Sequence, residues 1–167
     1  SGATARLISE TLGARGVIAA PTGMGPHMAA PMIMKHGTDA QKAELIKIAT
    51  GEQHWCQLFS EPEAGSDLAS VRCKAVRDGD KYIVNGQKVW NSGADAADRG
   101  LLLARTDFEA QKHAGVSFML IDMKTPGIEV RRITTLEGGH EVNEVWLENV
   151  KVPVENRVYE ENQGWTC

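Results

Sequence analysis

The sequence predicts an α+β chain, with short N-terminal helices followed by an antiparallel β-barrel or sandwich of about seven strands. Three observations predict it. Up to Gly51 the apolar residues recur at helical spacing and are punctuated by helix stop and start signals. From His54 onward short apolar or alternating runs follow one another between turn residues, with no helical pattern among them. Helices come first and strands second, whereas a parallel nucleotide-binding sheet would alternate the two. A chain of 167 residues is long enough for one domain with its own core and part of another.

Ala5, Ile8 and Leu12 share one helical face, and Gly13 and Gly16 weaken it, so the first helix is expected to be short or frayed. Val17 to Ala20 is apolar, and Pro21 to Pro26 reads as a turn. Met28 to His36 is a second helix, opened by Pro26 and stopped by Gly37, with Pro31 early enough to be tolerated. Its methionines read as packing. Thr38-Asp39-Ala40-Gln41 fits a capping box and announces a third helix, with Leu45, Ile48 and Ala49 as its apolar stripe and Gly51 as its end.

Trp55 to Phe59 is short, aromatic and bounded by a Pro/Gly loop, which favours a strand. Val71, Cys73 and Ala75 alternate with Arg72 and Lys74, Asp78-Gly79-Asp80 turns, and Tyr82 and Val84 lead into Asn85-Gly86. That dipeptide between two such runs predicts a type I′ hairpin, with a return strand through Val89 and Trp90. Asn91 to Asp98 is a small polar loop, Leu101 to Ala104 a buried strand, and Asp107 to Ala114 another polar loop. Val116 to Ile121 is a strand whose expected partner, across Thr125-Pro126-Gly127, is Ile128 to Ile133. Glu137 to His140 interrupts before Val142 to Val150, and Pro153 ends regular pairing.

With 42% apolar and 24% charged residues and a formal charge of −4, the composition is that of an ordinary globular chain without a nucleic-acid-binding basic patch. No segment has the apolar length of a membrane span, and the first residues lack a signal peptide's apolar region. Ser1 in place of Met is expected to be a cut end. Cys56, Cys73 and Cys167 are odd in number and have no ligand spacing, and they read as reduced thiols of a cytoplasmic protein. His54, His113 and His140 are scattered, which argues against a metal site. Arg131 and Arg132 suit either a phosphate or a sheet exterior.

The loop Phe59-Ser60-Glu61-Pro62-Glu63-Ala64-Gly65-Ser66-Asp67 brings backbone amides and short hydroxyls to a surface where an anion can approach. Its residue order, followed by Asn85-Gly86-Gln87-Lys88-x-Trp90-x-Ser92, resembles the middle domain of the acyl-CoA dehydrogenases. The resemblance continues through Pro126-Gly127-Ile128, Glu144 to Pro153 and Glu161-Asn162-Gln163-Gly164-Trp165. Lys35-His36-Gly37-Thr38-x-x-Gln41-Lys42 and Thr50-Gly51-Glu52 resemble the last helices of that family's N-terminal domain. The implied domains are 1–52, the end of the N-terminal helical domain; 53–160, the middle β-domain; and 161–167, the start of a C-terminal helical domain absent from this chain.

The resemblance implies FAD as cofactor and α,β-dehydrogenation of an acyl-CoA thioester as the reaction of the parent enzyme. It assigns flavin contacts to Gln57, Phe59, Ser60, Gly65, Ser66, Trp90 and Ser92, and substrate contact also to Ser66. Trp90 would cover a ring face and Ser92 reach the N5 edge, although Trp90 read alone is a core aromatic. Ser60 and Ser92 stand where the family usually has threonine, which keeps the hydroxyl. Glu63 stands where glycine is frequent and reads as a solvated carboxylate. The catalytic base belongs to the C-terminal domain, so none of Glu61, Glu63 and Asp67, read as caps or solvated turn residues, is nominated, and the fragment alone is expected to be inactive.

The implied partners are the acyl-CoA, an electron-transfer flavoprotein or similar acceptor, and further subunits in a homo- or hetero-oligomer. Two other readings stay open: a non-catalytic flavin- or thioester-binding subunit of a hetero-oligomeric dehydrogenase, and an acyl-CoA oxidase or monooxygenase relative. Phe59, Met119 and Met24 serve equally as pocket or core, so the sequence leaves the acyl chain unassigned.

Overall fold

The computed structural model describes residues 2–16 and 21–167, and the apolar run predicted at Val17 to Ala20 lies outside the described residues. The predicted class holds: short helices, then a mostly antiparallel sheet. Helix α1 spans Gly2–Ala14, longer than its glycines suggested. Leu7 and Ile8 on it are 64% and 55% exposed, so its apolar side meets solvent.

The second helix starts earlier than Met28, in a π-helical turn at Gly25–Ala29 that runs into α2, Ala30–His36. A wide turn suits Pro31, which has no N–H to continue an α-helical ladder. Gly37 ends it as expected, donating its N–H to Ile33 O at 2.8 Å. The capping box forms: Gln41 N–H donates to Thr38 Oγ1 and Thr38 N–H to Gln41 Oε1. The single third helix is corrected to two, α3 at Asp39–Ala43 and α4 at Leu45–Ala49. The break is a tightened turn in which Glu44 N–H bonds back three residues to Gln41 O while its carboxylate accepts from Lys47 and Gln53. Of the predicted stripe only Ile48 is fully buried.

Eight strands follow: β1 Trp55–Leu58, β2 Lys74–Asp78, β3 Lys81–Ser92, β4 Arg99–Arg105, β5 Val116–Asp122, β6 Ile128–Ile133, β7 Val142–Pro153 and the short β8 Arg157–Val158. Their order is β6-β7-β3-β2-β4-β5-β8, a path that does not close, with β1 lying parallel against β4.

Two pairing expectations are overturned. Asn85-Gly86 is no hairpin, because β3 runs straight through it; the hairpin is at Gly79-Asp80, where Asp78 pairs Lys81 and Gly79 has φ 63°. Asn85 instead spends its side chain on the neighbouring strand, its Oδ1 accepting the N–H of Asn149 at 2.8 Å. Asn149, at φ 51°, belongs to a bulge on β7. Gly86 is required by contact: a Cβ there would lie 2.9 Å from Cys73 Cα. Likewise β6 pairs β7 and not β5, so Pro126-Gly127 carries the chain across the sheet to a new edge.

The sheet curls around one core built from alternate residues of β1 to β5 and β7, including Leu58, Tyr82, Val84, Leu102, Met119 and Val145. A second cluster lies between its outer face and the helices, with Ile33, Ile48, Trp55, Leu101, Leu103 and Phe118. β4 is therefore buried on both faces, which explains the unbroken run Leu101-Leu102-Leu103-Ala104.

Candidate functional site

The candidate site is the seam where β1 ends, its loop begins, and β3 passes alongside. Edge pairing of β4 changes here, from β1 at residues 99–102 to β2 at Arg105. The change leaves the Leu103 carbonyl facing a gap, and Lys88 fills it from β3. Its Nζ donates to Leu103 O at 2.7 Å, Phe59 O at 3.0 Å and Glu61 Oε1 at 2.8 Å, and the side chain is fully buried. Glu61 completes the junction by accepting from Arg72 N–H at 2.7 Å and Cys73 N–H at 2.9 Å. Each group is thereby saturated, which is the condition under which a buried ion pair is tolerated.

Glu61 is thus a cap, as predicted, but a buried one. Glu63 is solvated as expected: its side chain is 78% exposed and pairs with Arg72 at 3.2 Å. The Asp67 carboxylate accepts from the Ser70 hydroxyl. At the far end of the loop Arg105, also buried, donates to the carbonyls of Ala69, Val71, Lys112 and Ala114.

Across the seam, β3 carries Val89 and Trp90 against the single Glu144 of β7, between the pairs Lys88↔Val145 and Asn91↔Asn143. This bulge puts Trp90 at φ 63°, a conformation that a bulky side chain adopts only when its surroundings impose it. The surroundings are visible. Val89 N–H donates to Ser60 O at 2.9 Å, Asn91 Nδ2 to Gln57 O at 2.7 Å, and Asn143 Nδ2 to Asn91 O at 3.0 Å. The result overturns the core-aromatic reading of Trp90, whose side is turned outward and is 62% exposed.

The predicted contact residues therefore separate by place. The carbonyls of Ser60 and Gln57 meet Val89 and Asn91, on either side of Trp90, across the seam, with Ser92 exposed beside its partner Val142. Gly65 and Ser66 lie exposed on the adjoining loop. Phe59 points to the helical side, packed edge-to-face on Phe118 at 5.6 Å and lining a cleft of about 440 Å³ with Met28, Met32 and Leu101. Among the described residues none bonds the Ser60, Ser66 or Ser92 hydroxyl. An outward indole on a strand that continues to Ser92, bonded through Val89 to the β1 end that carries Ser60, fits a flat, hydrogen-bonding ring system such as a flavin.

Lys88, Asn91 and Arg105 were missed by the sequence reading. The signal for Lys88 was present, since Tyr82, Val84 and Lys88 fall on one face of a single strand and the first two are apolar. Burial also fixes the thiols nearby. Cys73 is pushed up to about 11 and Cys56 to about 12 by desolvation. Among the described residues no helix is long and apolar enough to cross a membrane.

Comparison with known proteins agrees with this architecture. The acyl-CoA dehydrogenase FadE34 of Mycobacterium tuberculosis is 51% identical over 82% of this chain and 19% of its own length. A structure of the ChsE4-ChsE5 complex from Mycobacterium tuberculosis superposes with TM-score 0.81 at 42% identity, covering 86% of this chain and 37% of that one. A steroid acyl-CoA dehydrogenase, Tcur3481-Tcur3483, does so with TM-score 0.82 at 38% identity, covering 86% and 37%. The chain thus spans well under half the length of these relatives. Residues 56–150 match the model of the acyl-CoA dehydrogenase middle domain. With that match lying over the sheet just described, the chain belongs to the acyl-CoA dehydrogenase family.

Proposed function

We propose that this chain provides the flavin-facing sheet of an FAD-dependent enzyme that introduces an α,β double bond into an acyl-CoA thioester. The observation that carries the proposal is Trp90, held outward on a left-handed bulge whose Val89 is bonded to Ser60 O and which leads into the exposed Ser92. In this reading Trp90 covers one face of the isoalloxazine, Ser92 and Ser60 hydrogen-bond its polar edge, and Gln57 and Phe59 border it. Gly65 and Ser66 take the approach of cofactor and thioester. Bound FAD supplies the acceptor for the β-hydrogen. The chain's own residues orient the ring and exclude water from one side of it.

Removal of the α-proton needs a carboxylate free to accept it. Glu61 is occupied by Lys88 and two backbone amides, Glu63 pairs with Arg72 in solvent, and Asp67 accepts from Ser70. The base is assigned to a C-terminal helical domain, following on from 161–167. Residues 1–52 belong to the preceding helical domain and 53–160 to the β-domain. The working enzyme is cytoplasmic and oligomeric, and it passes its electrons to an electron-transfer flavoprotein or a similar acceptor. A second reading, a subunit completed by a different partner chain, is supported by the ChsE4-ChsE5 complex among its structural neighbours.

The test is an FAD titration followed by flavin fluorescence, then anaerobic addition of straight-chain and steroid-bearing acyl-CoAs. Binding that weakens in Trp90→Ala, without bleaching of the flavin by any thioester, is the expected result. Equal binding by wild type and Trp90→Ala would remove Trp90 from the site, and rapid bleaching would place a base within these residues.

A further inference from the structure

Of the residues proposed to face the flavin, the charged atoms of the Glu61–Lys88 pair touch only Phe59, through its backbone carbonyl, yet both members lie within two residues of Ser60 or Trp90 in sequence. Lys88 Nζ holds the Phe59 carbonyl, one residue before Ser60, and Lys88 itself lies two residues before Trp90. Its neighbour Val89 donates to Ser60 O, the bond that joins the two edges of the seam. Glu61, one residue after Ser60, is pinned from the opposite side by the Arg72 and Cys73 amides. Leu103 O ties the assembly to β4, the strand buried on both faces.

We propose that Glu61 and Lys88 are positioning residues that fix Ser60 against the Trp90 bulge, and so set the geometry of the cofactor face. The proposal rests on the flavin reading above. The energetic reason is that the seam has no continuous ladder: β1 has ended, β2 has not begun, and between them one ammonium and one carboxylate replace the strand pairing. Three ammonium protons meet three acceptors, and the carboxylate takes two amides in addition. A tether so saturated has one arrangement, which is how a contact surface is held to within a few tenths of an ångström. Packing alone could hold the fold while leaving Ser60 and Trp90 free to shift relative to each other.

The test compares wild type with Lys88→Met and with the neutral double variant Glu61→Gln/Lys88→Met. The single variant strands a buried carboxylate and can fail to fold. The double variant strands no charge, and a cooperative melt identifies it as folded. Amide hydrogen exchange without cofactor reads the tether. In the double variant the Val89, Arg72 and Cys73 amides are expected to exchange about tenfold faster, while those of the β4–β5 ladder keep their protection. With FAD at saturation, the visible circular dichroism of the flavin is expected to change, and the dissociation constant to rise about tenfold.

Wild-type exchange at Val89 in the folded double variant would overturn the proposal. So would local release with unchanged flavin dichroism and affinity, since the pair would then be structural only. A wild-type chain that takes up no FAD would instead sink the flavin reading, leaving the exchange result to decide the tether by itself.

Discussion

The loop between β1 and β2 is gripped at both ends by buried cations, and the two grips differ in kind. At its head Lys88 meets a carboxylate and two carbonyls, and at its tail Arg105 meets four carbonyls and no carboxylate. An ammonium is a compact, strongly hydrated charge that needs an anion to be buried, whereas a guanidinium spreads its charge and tolerates neutral acceptors. The head is therefore an electrostatic lock whose halves need each other. The tail is a brace, tying Ala69 and Val71 to the polar loop at Lys112 and Ala114 through geometry alone. The difference matches their positions: the lock sits beside Ser60 and Trp90, and the brace sits where the loop only has to close.

The comparison can be broken by removing each cation in turn. Lys88→Met leaves Glu61 buried without its counter-charge and is expected to destabilise by about 3–5 kcal/mol in urea unfolding. Arg105→Met orphans carbonyls but no charge, two of them near the surface, and should cost less, about 2–4 kcal/mol. A larger loss for Arg105→Met than for Lys88→Met would mean that the lock is no stronger than the brace.

Alkaline pH probes the same region without a substitution at Lys88 or Arg105. The Cys73 thiol beside the lock is held protonated up to about 11 by burial, against 9.0 when exposed. Because the folded state keeps a proton that the unfolded state gives up, this group adds nothing to the pH dependence below about 9, and stability falls as pH rises from there toward 11. The share lost at pH 11 is about 2 kcal/mol, and the slope should be shallower in Cys73→Ala than in wild type. Smallest of all is Glu63→Gln on the same loop. It breaks only the solvent-exposed pair with Arg72 and should change stability by less than about 0.5 kcal/mol.

How much of this was legible in the sequence depends on how local the cause was. The Thr38–Gln41 capping box and the buried run at Leu101 to Ala104 are set by neighbours in sequence, and both are found as read. Asn85-Gly86 misled because its turn chemistry is local, while its real partners, Asn149 and Cys73, are remote. That error hid a second feature. Placing a turn at Gly86 resets the alternation, and Lys88 then loses its place on the inward face with Val84. Trp90 was unreadable for a related reason: an extra residue in one strand turns its side chain outward, and only the register against Asn143 reveals the bulge. The pairing of β6 with β7, chosen over its nearer neighbour β5, is likewise a matter of topology and not of pattern.

Gln41 carries a consequence for the order in which the chain can be finished. Its amide serves the cap of α3 with one end, and with the other donates to the carbonyls of Glu155 and Arg157, more than a hundred residues later. β1 has the same dependence on a shorter scale, since its ladder partner β4 follows after the whole β2–β3 hairpin. On a ribosome, where segments fold as they emerge, the helices from Thr38 to Ala49 can curl early but cannot dock until synthesis has passed Arg157. Until then the apolar side that will cover β4 is on offer to chaperones and to other nascent chains.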